Sequence, residues 1–142
     1  MFKEKILSGE KCQTIRPWSE KRYSLFLTHS ICDLYWKLRT KETEYLKSVK
    51  IISLMKIQMS VKKRVTEDQL TIRCFNFSQL NYFYMTGLQV AELIRNDGFD
   101  SLIEFLNFFS MNYDLEHQQF LLIRWVELEP QKKSKLLESY LN

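Results

Sequence analysis

The sequence predicts an α+β domain, a small mixed or antiparallel β-barrel of about five to six strands with helices at its side, and three observations carry this. Stretches within 31–38, 49–61, 69–77 and 118–128 are rich in apolar, β-branched and aromatic residues and lack helical spacing. Segment 88–111 instead carries two helical runs divided by Asn96-Asp97-Gly98. No strand–helix–strand alternation and no internal repeat is present, which argues against a parallel sheet.

Taken in order, Phe2–Ser8 reads as a short helical or turn segment, and Gly9 as the bend before a strand over Cys12–Arg16 that Pro17 ends. Residues 18–29 have little period and read as a loop. Ile31–Leu38 reads as a buried strand with Arg39-Thr40-Lys41-Glu42 as its charged exit. Val49–Val61 fits one bent strand or two. Gln69–Phe77 places Leu70, Ile72 and Cys74 on one face and Thr71, Arg73 and Phe75 on the other, with Lys62–Asp68 as the hairpin connection. Ser78–Met85 is aromatic-rich and ambiguous between elements.

Leu88–Ile94 has helical spacing, and Gly98 can take the left-handed conformation a helix end prefers. Asp100 or Ser101 caps a second helix, whose Leu102, Ile103, Phe105, Leu106, Phe108 and Phe109 face a core over most of its surface. Gln118–Leu128 reads as the last strand, with Phe120, Leu122, Arg124 and Val126 opposite Leu121, Ile123 and Trp125. After Pro130, Gln131–Leu141 reads as a terminal helix. At 142 residues with five Gly and Pro in total, the expectation is one domain over 1–128 and a C-terminal helical extension over 129–142.

The net charge of +4 hides an asymmetry: residues 1–64 carry 15 Lys and Arg against 6 Asp and Glu, and residues 65–142 carry 6 against 11. A basic half interleaved with aromatic rings suits a polyanion, since phosphates neutralise lysines and bases stack on rings; the alternative is an ordinary solvated lysine surface. Cys12, Cys32 and Cys74 are scattered and joined only by His29 and His117, so neither a disulfide framework nor a metal cage is expected. The charged start Met1–Lys5 and the lack of a long apolar run lead to the expectation of a cytoplasmic chain with no membrane segment and no cofactor.

The segment Gly9–Arg16 concentrates the chemistry. Strand parity puts Cys12, Thr14 and Arg16 on one face and Gln13 and Ile15 on the other, so Lys11 joins Thr14 and Arg16 only if the Gly9 turn re-aims it. Trp18 either stacks a base or covers the edge of the core. Trp36 and Trp125 sit in apolar strands and read as core, and Cys12 reads as a small apolar side chain rather than a nucleophile.

Ile6-Leu7-Ser8-Gly9-Glu10-Lys11-Cys12-Gln13-Thr14-Ile15-Arg16 resembles the opening motif of ASCH domains, which are PUA-like barrels. Leu34–Lys41 is similar to a strand and basic exit of archaeal-type members. Ala91–Phe99 is similar to the family's helix and acidic turn, and Phe120–Trp125 to its closing strand. In place of the family's Gly-Asp turn before the second strand stands Ser30-Ile31-Cys32-Asp33. The resemblance implies a PUA-like barrel that binds RNA or a nucleotide in a cleft lined by Gly9, Lys11, Thr14, Arg16, Trp18 and Arg39. One branch of the family hydrolyses the amide of N4-acetylcytidine. Under that resemblance Lys11 would act as base, Thr14 as nucleophile and Asp97, where the family has glutamate, as the acid. A third class, a protein-interaction module, would use Tyr82-Phe83-Tyr84.

Overall fold

Val49–Val61 belongs to a single strand, β3 (Glu44–Lys62, 19 residues), around which the other strands are arranged. Its second half shows why it is a strand. Ile57, Met59 and Val61 turn to one side and Lys56, Gln58 and Ser60 to the other, so one face packs while the other meets solvent. The register shifts between Ile51 and Ser53, a bulge that bends β3 and leaves Ile52 exposed.

The computed structural model describes residues 2–128. Besides β3 it contains α1 (Phe2–Ser8), β1 (Gln13–Pro17), α2 (Glu20–Thr28), β2 (Ile31–Trp36), β4 (Gln69–Asn76), β5 (Asn81–Tyr84), α3 (Gly87–Asn96), α4 (Leu102–Asn112) and β6 (Gln119–Glu127). The fold is α+β: one antiparallel six-stranded sheet of order β1-β6-β3-β4-β5, with β2 paired to the first half of β3. After the helical pair, β6 returns between β1 and β3, so the last described strand ties the N-terminal strand to the centre of the sheet.

The helical pair lies on one face. Val90, Leu93 and Ile94 of α3 and Phe105, Leu106 and Phe109 of α4 form one core with Ile15, Ile57, Met59, Leu70, Ile72, Phe120 and Leu122 of the sheet. Phe2 of α1 packs against this core, with its ring 5.3 Å from that of Phe99. The caps are those the side chains permit: Thr86 and Gln89 form a reciprocal box at the start of α3, and Ser101, one of the two expected residues, caps α4 by accepting from Glu104 N.

Four expectations are corrected. Helix α4 meets the core through Phe105, Leu106 and Phe109 and not over most of its surface, since Ile103 and Phe108 are 71% and 40% exposed. Residues 18–29 contain helix α2, because Ser19 accepts from Arg22 N and supplies the cap; the period was hidden because the helix is surface-lying, with Leu25 and Leu27 exposed and no buried residue. The strand expected over Ile31–Leu38 stops at Trp36 and is not buried. Among the described strands it pairs only with β3, and Ile31 and Tyr35 face outward, leaving Trp36 half-buried. Pro17 is the last residue of β1 rather than a stop after it, a place an edge strand tolerates. The undecided aromatic segment contains edge strand β5. The helix expected over Gln131–Leu141 lies outside the described residues.

Candidate nucleic-acid interface

The two faces of the sheet treat the Gly9–Arg16 segment differently. Gly9 takes φ +87° and closes α1, with its N–H donating to the Ile6 carbonyl, and Lys11 N–H then donates to the Lys5 carbonyl. Past this turn Lys11, Gln13 and Ile15 all point to the helical face and are buried, while Thr14 and Arg16 leave from the opposite face, half-buried and exposed respectively. The turn therefore does not swing Lys11 towards Thr14.

On the helical side the segment clamps the end of α3. The helix finishes in a Schellman turn: Gly98, at φ +93°, donates to the Arg95 carbonyl and Phe99 N–H to that of Ile94. Donors on the N-terminal segment reach further carbonyls of this end, among them that of Leu93, which also accepts from Asp97 N–H. Gln13 Nε2 donates to Leu93 O at 2.9 Å, Cys12 N–H to Asn96 O at 2.9 Å, Lys11 Nζ to Asp97 O at 2.7 Å and Lys5 Nζ to Gly98 O at 2.8 Å. Cations here also oppose the negative end of the helix dipole. The Asp97 carboxylate lies 3.6 Å from Lys11 Nζ and accepts from Gln13 Nε2 at 3.3 Å. Lys11 Nζ also sits 4.9 Å from the centre of the Phe2 ring.

Burial dominates the titration of this pair. It pushes the Asp97 carboxyl up to about 6 against the pull of Lys11 and the Gln13 hydrogen bond, and it holds Lys11 below its ordinary value despite the attraction of Asp97. Burial likewise raises the Cys12 thiol, the opposite of what a nucleophile needs. Gln13 Oε1 and Arg124 Nε, on paired residues of β1 and β6, are buried without a hydrogen-bond partner among the described residues.

The outer face carries a different set. Residues paired across an antiparallel sheet share a face, so Arg16, Leu121, Lys56, Phe75 and Tyr82 form one row from β1 to β5. The next row is Gln119, Gln58, Arg73 and Tyr84. Trp18 and the first turn of α2 close one end. Lys56 Nζ stands 4.5 Å over the Trp18 ring, Trp18 and Tyr23 have centroids 5.1 Å apart, and Tyr23 stacks on Phe77 at 5.0 Å. Phe77 meets Phe75 edge-on at 4.9 Å, Phe75 lies 5.0 Å from Tyr82, and the Arg73 guanidinium stands 4.3 Å over Tyr82. Phe77 is 37% and Tyr82 52% exposed, so the ladder is a surface and not a core.

Of the expected site residues, the structure brings Lys11 and Asp97 together and puts Arg16 and Trp18 on the outer face with Lys56. Thr14 shares that outer parity, opposite Ile123. Gly9 stands at the edge near Glu127, and Arg39 lies in the exposed turn between β2 and β3, with φ +69°. The sequence reading missed Gln13, Tyr23, Lys56, Arg73, Phe75 and Phe77 as site residues. The signal for Arg73 and Phe75 was present in the alternation of β4, and for Gln13 in its shared parity with Ile15.

Among the described residues no three His, Cys, Asp or Glu are grouped to hold a metal, and no helix is long and apolar enough to cross a membrane. Comparison with family models, with curated proteins and with solved structures gave no match.

Proposed function

We propose that the chain binds single-stranded RNA or nucleotides on the outer face of the sheet. The observation that carries this is the aromatic ladder from Trp18 to Tyr82 with a cation over each end, Lys56 and Arg73. Rings offer a sequence-tolerant stacking surface, and Arg16 and Lys56, in the row with Phe75 and Tyr82, supply phosphate partners. The resemblance of Gly9–Arg16 to the ASCH opening motif points to the same ligand class. Under that proposal the open strand path corresponds to a PUA-like barrel, and the role is cytoplasmic RNA metabolism.

Fluorescence anisotropy with single-stranded RNA tests the proposal. Affinity is expected to fall by about an order of magnitude or more between about 50 and 200 mM salt, and Lys56→Glu or Arg16→Glu to weaken binding and flatten the salt slope. Salt-insensitive binding, or binding indifferent to both substitutions, would overturn it.

A second reading, amide hydrolysis on N4-acetylcytidine, draws on the contact between Lys11 and Asp97. It also requires Thr14 to act from the other face of β1. Release of cytidine that is lost in Thr14→Ala would support it, and no turnover at high protein concentration would remove it.

A further inference from the structure

The outer face is not uniform, and its second row ends in a built depression. A hollow of about 360 Å³ is lined by Gln58, Ser60, Thr71, Arg73, Tyr84 and Glu116. Gln58 fixes its geometry from both sides: its Oε1 accepts from Arg73 Nη2 at 2.7 Å and its Nε2 donates to the Glu116 carbonyl at 3.3 Å. The turn bearing Glu116 is closed by Gln118 N–H donating to Asp114 O at 2.8 Å. Tyr84 is 64% exposed and offers an open ring face. The Arg73 guanidinium, held by Gln58 and standing over Tyr82, the Tyr84 ring and the exposed acidic residue Glu116 thus line one space suited to a planar heterocycle.

We infer that this depression takes a guanine base. Guanine alone among the four bases presents two adjacent donors, N1–H and the N2 amino group, which match the two oxygens of one carboxylate at Glu116. It also presents two adjacent acceptors, O6 and N7, which suit the Arg73 guanidinium. Adenine and cytosine place an acceptor beside their amino group, and uracil offers a single donor between two acceptors, so each would set a lone pair against Glu116. Tyr84 supplies stacking, and Gln58 is a positioning residue that holds Arg73 and the 114–118 turn at a fixed separation.

The depression lies one row from Lys56, Phe75 and Tyr82, about 7 Å along the strands, a spacing that lets neighbouring nucleotides of one strand occupy successive rows. The inference rests on the proposal that this face binds RNA, and it adds a base preference to it.

Titration of the full chain with GMP, AMP, CMP and UMP, followed by chemical shifts, tests it without requiring an RNA complex. GMP is expected to bind about tenfold or more tightly than the other three. Glu116→Gln, an exposed change, is expected to bring GMP down to the level of the others, and Tyr84→Ala to weaken GMP. Equal affinities for the four nucleotides, or a GMP preference unmoved by Glu116→Gln, would overturn the inference. A parallel measurement with RNA oligomers separates the two claims. RNA binding with no base preference and no GMP preference sinks the guanine site alone; a GMP preference that Glu116→Gln abolishes, with no RNA binding, upholds the site and sinks the RNA proposal.

Discussion

The inner and outer faces of β1 carry alternate residues of one short segment, yet their chemistry differs in kind. Inward, Lys11 and Gln13 are buried, and their donors are already occupied by carbonyls and a carboxylate at the end of α3. Outward, Arg16 is exposed and lies in a row with Lys56 and two aromatic rings. A polar group whose partners are built in holds the fold; one left facing solvent beside rings is available to a ligand. This contrast teaches that the motif-like look of Gly9–Arg16 has two sources, a helix clamp and a binding face, interleaved by strand parity.

The sharpest way to break the comparison is to remove Asp97. Asp97→Ala takes away the partner of a buried lysine, and such a loss costs about 3–5 kcal/mol. Urea unfolding is expected to show it, while RNA affinity of the remaining folded protein stays at the native level. A collapse of RNA affinity with little loss of stability would mean that the inner face is the working one.

The pH dependence sharpens the same point. Asp97 titrates near 6 when folded, against an ordinary value of 3.8, so the native state holds this proton more tightly than the unfolded chain. Its contribution to stability is complete below about pH 3.8 and is lost as pH rises through 6, a swing of up to about 3 kcal/mol. Lys11, held below 10.5, acts with the opposite sign in the alkaline range, where its contribution grows as pH rises towards 10.5. Wild type measured from about pH 4 to 6.5 is therefore expected to lose stability relative to Asp97→Asn. Parallel curves for the two proteins would show that Asp97 does not titrate in that window.

Much of this division is legible in the sequence. The glycine stop at Gly98 and the alternation of β4 follow from local chemistry, and the structure places them as read; the cap of α4 falls on Ser101, one of two expected residues, and α4 meets the core through Phe105, Leu106 and Phe109 while Ile103 and Phe108 stay exposed. What failed were elements whose signal is not periodic burial. Helix α2 buries no side chain, so only Ser19-Glu20 announced it, and Ile31–Trp36 is apolar yet covered on one side alone. The ladder was hidden for another reason. Trp18, Tyr23, Phe77 and Tyr82 come from four separate segments, and only the sheet register and the position of α2 bring them together.

On the outer face, Trp18→Ala removes the ring beneath Lys56 and beside Tyr23. Base–aromatic stacking contributes about 1–3 kcal/mol per base, so RNA binding is expected to weaken by about fivefold to a hundredfold. Because Trp18 is half-buried at the sheet's end, thermal stability should change less than in Asp97→Ala. The reverse ranking would make Trp18 a cover for the core edge, the other role its position in the sequence allowed.

The smallest expected effect tests whether α2 belongs to the binding face. Ser19 lies between Trp18 and the helix, and its side chain accepts from Arg22 N at 3.2 Å, while Arg22 Nη1 reaches back to the Pro17 carbonyl at 2.6 Å. Ser19→Ala deletes the cap, at about 1 kcal/mol, and frays the turn that carries Tyr23. If Trp18 and Tyr23 work as a preset stack, RNA affinity should fall a few-fold, because the order lost in the free protein must be restored on binding. A stability loss of that size with unchanged affinity would show that the ladder begins at Phe75 and that α2 is a bystander to it.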